Sequence, residues 1–179
     1  KDSVIVFKDR YGIRPLWIGR KAGKLVASSE DKAIVDMGGV PIRELDSGEF
    51  IKIGATGLDF FGQKVIIRPK RPCFFEGNYL GNIESSFGGI VNRESRGRLG
   101  HEIYEEYKPE VDLVSFIPNA PEPYALAYAN SMGVEFKPIF YKVKTNRSFL
   151  QRSQNERQNS IASNLFVHDD VDLKDKRIL

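Results

Sequence analysis

The chain has 179 residues, enough for one domain or two small ones, and 41% of them are hydrophobic, as in an ordinary globular protein. The net charge of +3 is too small to indicate a nucleic-acid partner, and no apolar run approaches the ~20 residues of a membrane span. The single cysteine, Cys73, excludes an internal disulfide and any zinc or iron–sulfur site held by several cysteines. This composition fits a reducing, cytoplasmic environment.

Short apolar runs separated by turn residues fill the first 67 residues. The pattern predicts strands at 4–7, 16–18 and 25–28, a helix at 29–37, strands at 42–45 and 50–53, and a hairpin at 57–67. The first three strands are separated by tight turns, which predicts an antiparallel meander. Ser28 or Ser29 is the expected N-cap of the helix, and Gly38 ends it.

The pattern changes after residues 68–72, where two prolines and three basic residues indicate a linker. The predicted elements beyond it are a helix at 92–107, a strand at 113–118, a helix at 121–131 and a strand at 135–141. Strands that alternate with helices predict a parallel α/β sheet. Residues 142–164 are polar and basic, so we expect a mobile loop that leads into a weak helix.

Both ends of the sequence run into strand-like segments, at residues 4–7 and again at 177–179. Natural termini usually lie at the surface and fray. We therefore expect the sequence to be a piece of a longer protein.

Two stretches of the first half carry a family resemblance. In the family's order, "FKDRYGIRPLWIG" and "LVASSEDKAIVDMGGVPIRELDSGEFIKI" resemble the closing strands of the class II glutamine amidotransferase domain of amidophosphoribosyltransferases. Asparagine synthetases carry a stretch similar to the first of these, so this half leaves both families open.

Three stretches of the second half favour the amidophosphoribosyltransferases. "PCFFEGNYLGNIESSFGGI" resembles the segment that joins their two domains, and "DLVSFIPNAPEPYALAYANSMGVEFKPIF" resembles part of their phosphoribosyltransferase domain. "NRSFLQRSQNERQNSIASNL" resembles the flexible loop of that domain. The resemblance implies a mixed α+β and α/β architecture. Residues 1–68 would be the C-terminal part of an antiparallel, Ntn-type glutamine amidotransferase domain, and residues 69–179 the first half of a type I phosphoribosyltransferase α/β domain.

The resemblance also implies a reaction. The intact enzyme would release ammonia from glutamine and transfer it to phosphoribosyl diphosphate, with Mg²⁺ on the diphosphate, in the first step of purine synthesis. Purine nucleotides are expected as inhibitors, and a homo-oligomer as the assembly.

The resemblance places the catalytic groups outside this sequence. The family's N-terminal cysteine nucleophile is not present, and its two-aspartate strand and phosphate loop would follow Leu179, where the Mg²⁺ ligands are expected. We therefore expect no catalytic residue, no metal ligand and no iron–sulfur cluster in this segment, and no turnover by it alone.

The resemblance assigns three basic residues to substrate binding. Arg147, with Lys142 and Lys144 behind it, is expected to contact phosphate groups from a loop that closes over the site. The alternative is that these residues only keep an exposed loop soluble.

Three further residues receive roles by resemblance. Tyr79 and Leu150 are expected to line an apolar passage for ammonia, and Arg14 to brace the floor of the glutaminase site. For Tyr79 and Leu150 the alternative is ordinary core.

The loop departs from the family's usual pattern. Over residues 141–150 the chain keeps Arg147 and Phe149 and changes most other positions, and Asn119-Ala120 replaces a common acidic residue and hydroxyl. Three interpretations therefore stay open. The chain belongs to an amidophosphoribosyltransferase or close paralogue, to another class II amidotransferase such as an asparagine synthetase, or to a degenerate, non-catalytic paralogue.

Overall fold

Antiparallel strands dominate the first part of the chain. The computed structural model describes residues 3–54, 57–61, 70–143 and 148–179. The elements up to residue 61 are β1 (Ser3–Phe7), β2 (Trp17–Lys21), β3 (Lys24–Ser28), α1 (Asp31–Asp36), β4 (Val40–Glu44), β5 (Phe50–Gly54) and β6 (Gly57–Phe61). They form two three-stranded antiparallel sheets, ordered β1-β5-β6 and β3-β2-β4. The expected antiparallel character is confirmed.

The predicted three-strand meander is wrong, because β1 and β2 belong to different sheets. β2 and β3 form the expected hairpin, whereas β1 pairs with β5, so that Val6 lies opposite Ile51. The turn after β1 sends the chain from one sheet to the other. As a result, Val6 packs against a buried cluster formed by Ile18, Leu45 and Ile51, to which both sheets contribute. Burial of apolar faces from two sheets stabilises this arrangement.

Helix α1 packs on β2 through Ile34, which is fully buried. A Cβ on Gly19 of β2 would lie 2.6 Å from the carbonyl oxygen of Val40 and 2.8 Å from Cγ2 of Ile34. Glycine is therefore required for this close approach of helix and strand. The predicted helix is confirmed with slightly shorter bounds, but its N-cap residue is Glu30, not Ser28 or Ser29.

The chain divides into two compact units, Lys1–Ser95 and Arg96–Leu179. The first unit therefore includes residues 70–95, which lie after the predicted linker. The predicted domain boundary at residues 68 and 69 lies outside the described residues, and the division into two family domains stays a prediction.

Residues 70–91 are bonded into the first unit. The backbone N–H of Arg71 donates to the carbonyl of Tyr11, and that of Cys73 donates to the carbonyl of Ile13, both at 2.8 Å. A π-helix (Glu76–Leu80) follows, and then a hairpin of β7 (Ser86–Phe87) and β8 (Ile90–Val91). The two central residues of this hairpin are glycines with positive φ, which suits a two-residue turn.

Strands and helices alternate in the second half, as predicted. The elements are α2 (Asn92–Glu106), β9 (Leu113–Val114), α3 (Glu122–Met132), β10 (Glu135–Phe136), β11 (Phe140–Lys142), α4 (Gln154–Ala162) and β12 (Leu165–Val167). β9 and β10 pair in parallel, and Ile178 forms a parallel bridge to Leu113. A cluster of Val114, Tyr128 and Ala129 buries α3 against this sheet. The expected parallel α/β arrangement is confirmed. None of the described helices is long and apolar enough to cross a bilayer.

The strand predicted at 135–141 is instead two strands of different sheets. β10 pairs with β9, whereas β11 pairs antiparallel with β12. Pro138 separates them, because it has no N–H to continue a ladder. The helix expected in the polar stretch is confirmed as α4. It begins with a capping box, in which Ser153 Oγ accepts from the N–H of Glu156 and the Glu156 carboxylate accepts from the N–H of Ser153.

Candidate functional site

Asp9 organises the turn that precedes β2. Its two carboxylate oxygens accept hydrogen bonds from the backbone N–H groups of Tyr11 and Ile13, each at 2.8 Å. Gly12 has a φ of +67°, in the left-handed region that glycine adopts readily. The Asp-x-x-Gly spacing therefore builds a tight turn, and this turn presents Arg14 immediately before the strand.

Arg14 contacts the segment that follows the predicted linker. Its Nε forms an ion pair with a carboxylate oxygen of Glu76, the first residue of the π-helix. The side chain of Glu76 is 5% exposed and that of Arg14 is 62% exposed. A buried carboxylate needs such a partner, because an unpaired charge loses its hydration without compensation. Arg14 therefore braces a neighbouring segment, and its predicted role at a glutaminase site stays a prediction.

Tyr79 lies on the same π-helix as Glu76. Its side chain is 55% exposed, and that of the following Leu80 is 46% exposed. The backbone N–H of Gly81 donates to the carbonyl of Glu76 at 2.8 Å and closes this wide turn. π-Helical turns are rare and occur frequently at functional sites. The ring of Tyr79 is therefore exposed at the surface of the first unit. Tyr79 lies on the π-helix that Arg14 contacts through Glu76.

A cavity of about 490 Å³ lies beside this π-helix, within the first unit. Its wall includes a buried ion pair, in which Lys8 Nζ donates to Glu44 Oε1 at 2.6 Å. The other oxygen of Glu44 accepts from the N–H of Gly88 at 3.1 Å. Cys73 also lines the cavity, but histidine, the commonest general base, is not among the described lining residues. The rest of the lining is mainly apolar, and the ion pair already has its partners within the protein.

The turn at 46–49, on the cavity wall, is fixed by Glu49. A carboxylate oxygen of Glu49 accepts from the N–H of Asp46 at 2.8 Å, and Nη1 of Arg43 donates to the same oxygen at 2.8 Å. Hydrogen bonding by the Arg43 guanidinium lowers the pKa of Glu49 below its usual value. The carboxylate is therefore charged at neutral pH although its residue is 7% exposed.

The structure places the predicted loop residues on the second unit. Lys142 is exposed at the end of β11, where it lies opposite Leu165 of β12. Leu150 lies in a short 3₁₀ turn (Ser148–Leu150) and is 64% exposed. Lys144 and Arg147 lie outside the described residues. Both described side chains are exposed in this chain, and the roles expected for Lys142, Leu150 and Tyr79 stay predictions.

The loop after β9 lies at the carboxyl end of the parallel sheet. The N–H of Ser115 donates to the carbonyl of Leu179 at 2.8 Å, and Ser115 Oγ accepts from the N–H of Ile139 at 3.1 Å. Phe116 stacks on Phe136 with ring centroids 5.8 Å apart. Open α/β sheets bind ligands outside the carboxyl ends of their strands. This edge is therefore the candidate ligand edge of the second unit.

Sequence reasoning missed several acidic residues that join distant segments. Glu30 and Asp31 read as the first turn of a helix, and Glu44 as the end of a strand. In the structure their carboxylates accept hydrogen bonds from residues 82–88. Two adjacent acidic residues at the start of a short helix indicate only a favourable first turn. Their hydrogen-bond partners lie about fifty residues further along the chain, and local spacing does not predict them.

Known proteins match the whole chain, although no family model matches it. It is 28% identical to the amidophosphoribosyltransferase of Methanocaldococcus jannaschii over 99% of this chain and 41% of the relative. It is 29% identical to that of Mycobacterium bovis over 100% of this chain and 34% of the relative. The chain thus spans about two fifths of these relatives or less.

A solved structure gives the same result. The glutamine phosphoribosylpyrophosphate amidotransferase from B. subtilis, complexed with ADP and GMP, superimposes with a TM-score of 0.82 at 28% identity. The match covers 99% of this chain and 39% of that one. The resemblance expected from the sequence is therefore confirmed over the whole chain, including the half that follows the predicted linker.

Proposed function

We propose that this chain is the central part of an amidophosphoribosyltransferase. The longer polypeptide would release ammonia from glutamine and transfer it to the anomeric carbon of phosphoribosyl diphosphate, displacing diphosphate. The observation that carries the proposal is the match to the B. subtilis amidotransferase over 99% of this chain. Since the chain spans 39% of that protein, the activity is proposed for the longer polypeptide, and this segment alone is expected to be inactive.

The two halves would belong to domains with different reactions, ammonia release from glutamine and ammonia transfer to the sugar. Residues 1–68 would belong to the amidotransferase domain and residues 69–179 to the first half of the phosphoribosyltransferase domain. The antiparallel sheets of the first unit and the parallel β9-α3-β10 arrangement of the second support an amidotransferase part followed by a phosphoribosyltransferase part. A phosphoribosyltransferase site would then lie at the carboxyl end of that parallel sheet.

Binding of the diphosphate needs cationic side chains and exclusion of water. The leaving group carries several negative charges, and the transition state has positive charge at the sugar carbon. Arg147 would contact a phosphate group when its loop closes, with Lys142 and Lys144 adding positive charge. Closure would also keep water from the reacting carbon, where it would compete with ammonia.

Ammonia transfer needs an apolar route. Ammonia must stay neutral to remain a nucleophile, and apolar walls disfavour its protonated form and exclude water. Tyr79, on the π-helix, and Leu150, in the 3₁₀ turn, would supply such walls. Arg14 would act by holding the π-helix that carries Tyr79.

Mg²⁺ would accompany the phosphoribosyl diphosphate and would offset part of its negative charge. The ligands are proposed to lie beyond Leu179. Purine nucleotides are proposed as inhibitors, in keeping with the ADP and GMP bound to the B. subtilis relative.

A degenerate paralogue is the second candidate. The substitutions at residues 141–150 favour it, because they change most of the loop pattern that the family uses around phosphate. The retained Arg147 favours an active enzyme.

Complementation tests the proposal. A strain that lacks amidophosphoribosyltransferase and requires purines would receive either the natural gene containing this chain or a gene for these 179 residues alone. We expect growth without purines from the first and none from the second. Failure of the natural gene to support growth, with its product present in the cell, would contradict the proposal and favour the degenerate paralogue.

A further inference from the structure

Glu30 occupies the N-cap position of α1, yet its side chain makes no hydrogen bond to its own helix. Residues at this position normally bond a free N–H of the first turn through a short polar side chain. Oε2 of Glu30 instead accepts from the backbone N–H of Asn82 at 2.8 Å and from Ser85 Oγ at 2.6 Å. The carboxylate therefore serves a segment fifty residues further along the chain.

Two neighbours of Glu30 hold the same segment. Oδ1 of Asp31 accepts from the N–H of Ser86 at 3.0 Å, and the indole Nε1 of Trp17 donates to the carbonyl of Ser86 at 3.3 Å. Ser85 is 2% exposed, so its hydroxyl donates to Glu30 in place of a hydrogen bond to water. Charge-assisted hydrogen bonds of this length are stronger than neutral ones. The turn at 82–86 is thus anchored to the start of α1 and to β2.

The anchored turn follows the π-helix directly, and Arg14 holds the other end of that helix through Glu76. Between the two anchors lie Tyr79 and Leu80, with their side chains exposed. Gly81 joins the π-helix to the turn, and a Cβ there would lie 2.9 Å from the carbonyl oxygen of Glu76. A short segment fixed at both ends presents its outward side chains in one position.

We propose that Glu30 is a positioning residue for nitrogen transfer. By fixing Asn82 and Ser85, it sets the position of the π-helix and hence of Tyr79 in the ammonia passage. The transfer role rests on the proposed function, whereas the anchoring of the π-helix does not. Both bonds end on one oxygen of Glu30, so a glutamine, which keeps one such acceptor, would preserve them, and an alanine would not.

Amide hydrogen exchange on the natural polypeptide that contains this chain tests the anchoring. In Glu30→Ala we expect the amide of Asn82 and the amides of the π-helix to exchange at least about tenfold faster, with β5 unchanged. Glu30→Gln should restore most of the protection. Asp36→Ala, at the exposed opposite end of α1, is the matched control and should change none of these amides. Unchanged exchange at Asn82 in Glu30→Ala, or an equal increase across β5, would overturn the proposal.

Nitrogen transfer in the natural polypeptide that contains the chain tests the role. In Glu30→Ala we expect glutamine-dependent synthesis of phosphoribosylamine to fall about tenfold, while glutamine hydrolysis and ammonia-dependent synthesis stay within about twofold. Glu30→Gln should recover the glutamine-dependent rate. A loss shared equally by all three activities would indicate a merely structural role and overturn the proposal, as would no loss in any. If the unsubstituted polypeptide has none of the three activities, the proposed function fails, while the exchange experiment still decides the anchoring.

Discussion

Arg14 and Glu76 form an ion pair between the turn before β2 and the first residue of the π-helix. The carboxylate is buried and the arginine is largely exposed, so Glu76 depends on the pair more than Arg14 does. Removal of Arg14 alone would leave the buried carboxylate of Glu76 without an ionic partner. Removal of both side chains would leave no unpaired charge. The pair is therefore more important for the conformation of residues 76–80 than its surface position suggests.

Arg14→Met should lower the free energy of unfolding by about 1–3 kcal/mol, because it leaves the buried carboxylate of Glu76 unpaired. The matched control is Arg93→Met, which breaks an ion pair with Glu84 in which both side chains are exposed. That change should cost no more than about 0.5–1 kcal/mol. Urea unfolding of the three proteins measures both values. Equal losses in the two variants would contradict the importance assigned to the burial of Glu76.

Gly100 and Gly97 lie on the same helix, α2, in different surroundings. A Cβ at Gly100 would lie 2.9 Å from Cα of Tyr124 on α3, whereas one at Gly97 meets nothing closer than 3.9 Å. Gly100→Ala should therefore destabilise the protein by about 1–3 kcal/mol through overpacking. Gly97→Ala should stabilise it by about 0.5–1 kcal/mol, because alanine favours helix. Thermal unfolding measures both changes, and effects of the same sign would contradict this packing.

Asp112 links β9 to the segment that ends the described chain. Hydrogen bonds from the side chain and backbone N–H of Arg177 lower the pKa of Asp112 from 3.8 to about 2. A lowered pKa in the folded state stabilises the protein above the unfolded value, near pH 3.8, and this contribution is lost as the pH falls toward 2. The difference in stability between the natural chain and Asp112→Asn should therefore shrink between pH 4.5 and pH 2.5.

Urea unfolding at several pH values measures this difference. Glu110→Gln is the control, since Glu110 contacts the same arginine but is 91% exposed. Its difference from the natural chain should stay small at every pH. A constant difference for Asp112→Asn across the same range would show that the pair does not titrate as described.

If Arg147 binds phosphate as proposed, Arg147→Ala should raise the KM for phosphoribosyl diphosphate about 10- to 100-fold in the natural polypeptide, because a charge-assisted hydrogen bond of this kind contributes ~1.5–3 kcal/mol. Lys142→Ala should have a smaller effect. Lys174→Ala removes an exposed lysine in a turn and should leave KM unchanged. Steady-state kinetics at saturating ammonia measure all three. An unchanged KM in Arg147→Ala would remove this residue from the site.

The strands, helices and parallel pairing followed from local patterns. The Asp9–Gly12 turn, the alternating apolar residues of β5 and the Ser153 capping box each depend on neighbours within a few residues, so the sequence contains the full signal. The pairing of β1 with β5 depends instead on which apolar faces meet in the core. Strand periodicity gives the faces, but it does not determine which strand lies beside which.

The candidate site shows the same limit. Tyr79 and Leu150 were identified by family resemblance, and the structure adds that both are exposed. The contacts of Glu30 with Asn82 and Ser85 connect segments separated by fifty residues and by the predicted linker. Only the folded chain brings these groups together, so reasoning from spacing assigned Glu30 to its own helix.

Nitrogen transfer tests most directly the proposal that this chain is part of an amidophosphoribosyltransferase. The natural polypeptide that contains it would be incubated with Mg²⁺, phosphoribosyl diphosphate and glutamine labelled with ¹⁵N in the side-chain amide. We expect labelled phosphoribosylamine and one diphosphate released for each nitrogen transferred. Absence of diphosphate release with glutamine and with ammonium alike, from a folded protein, would contradict the account.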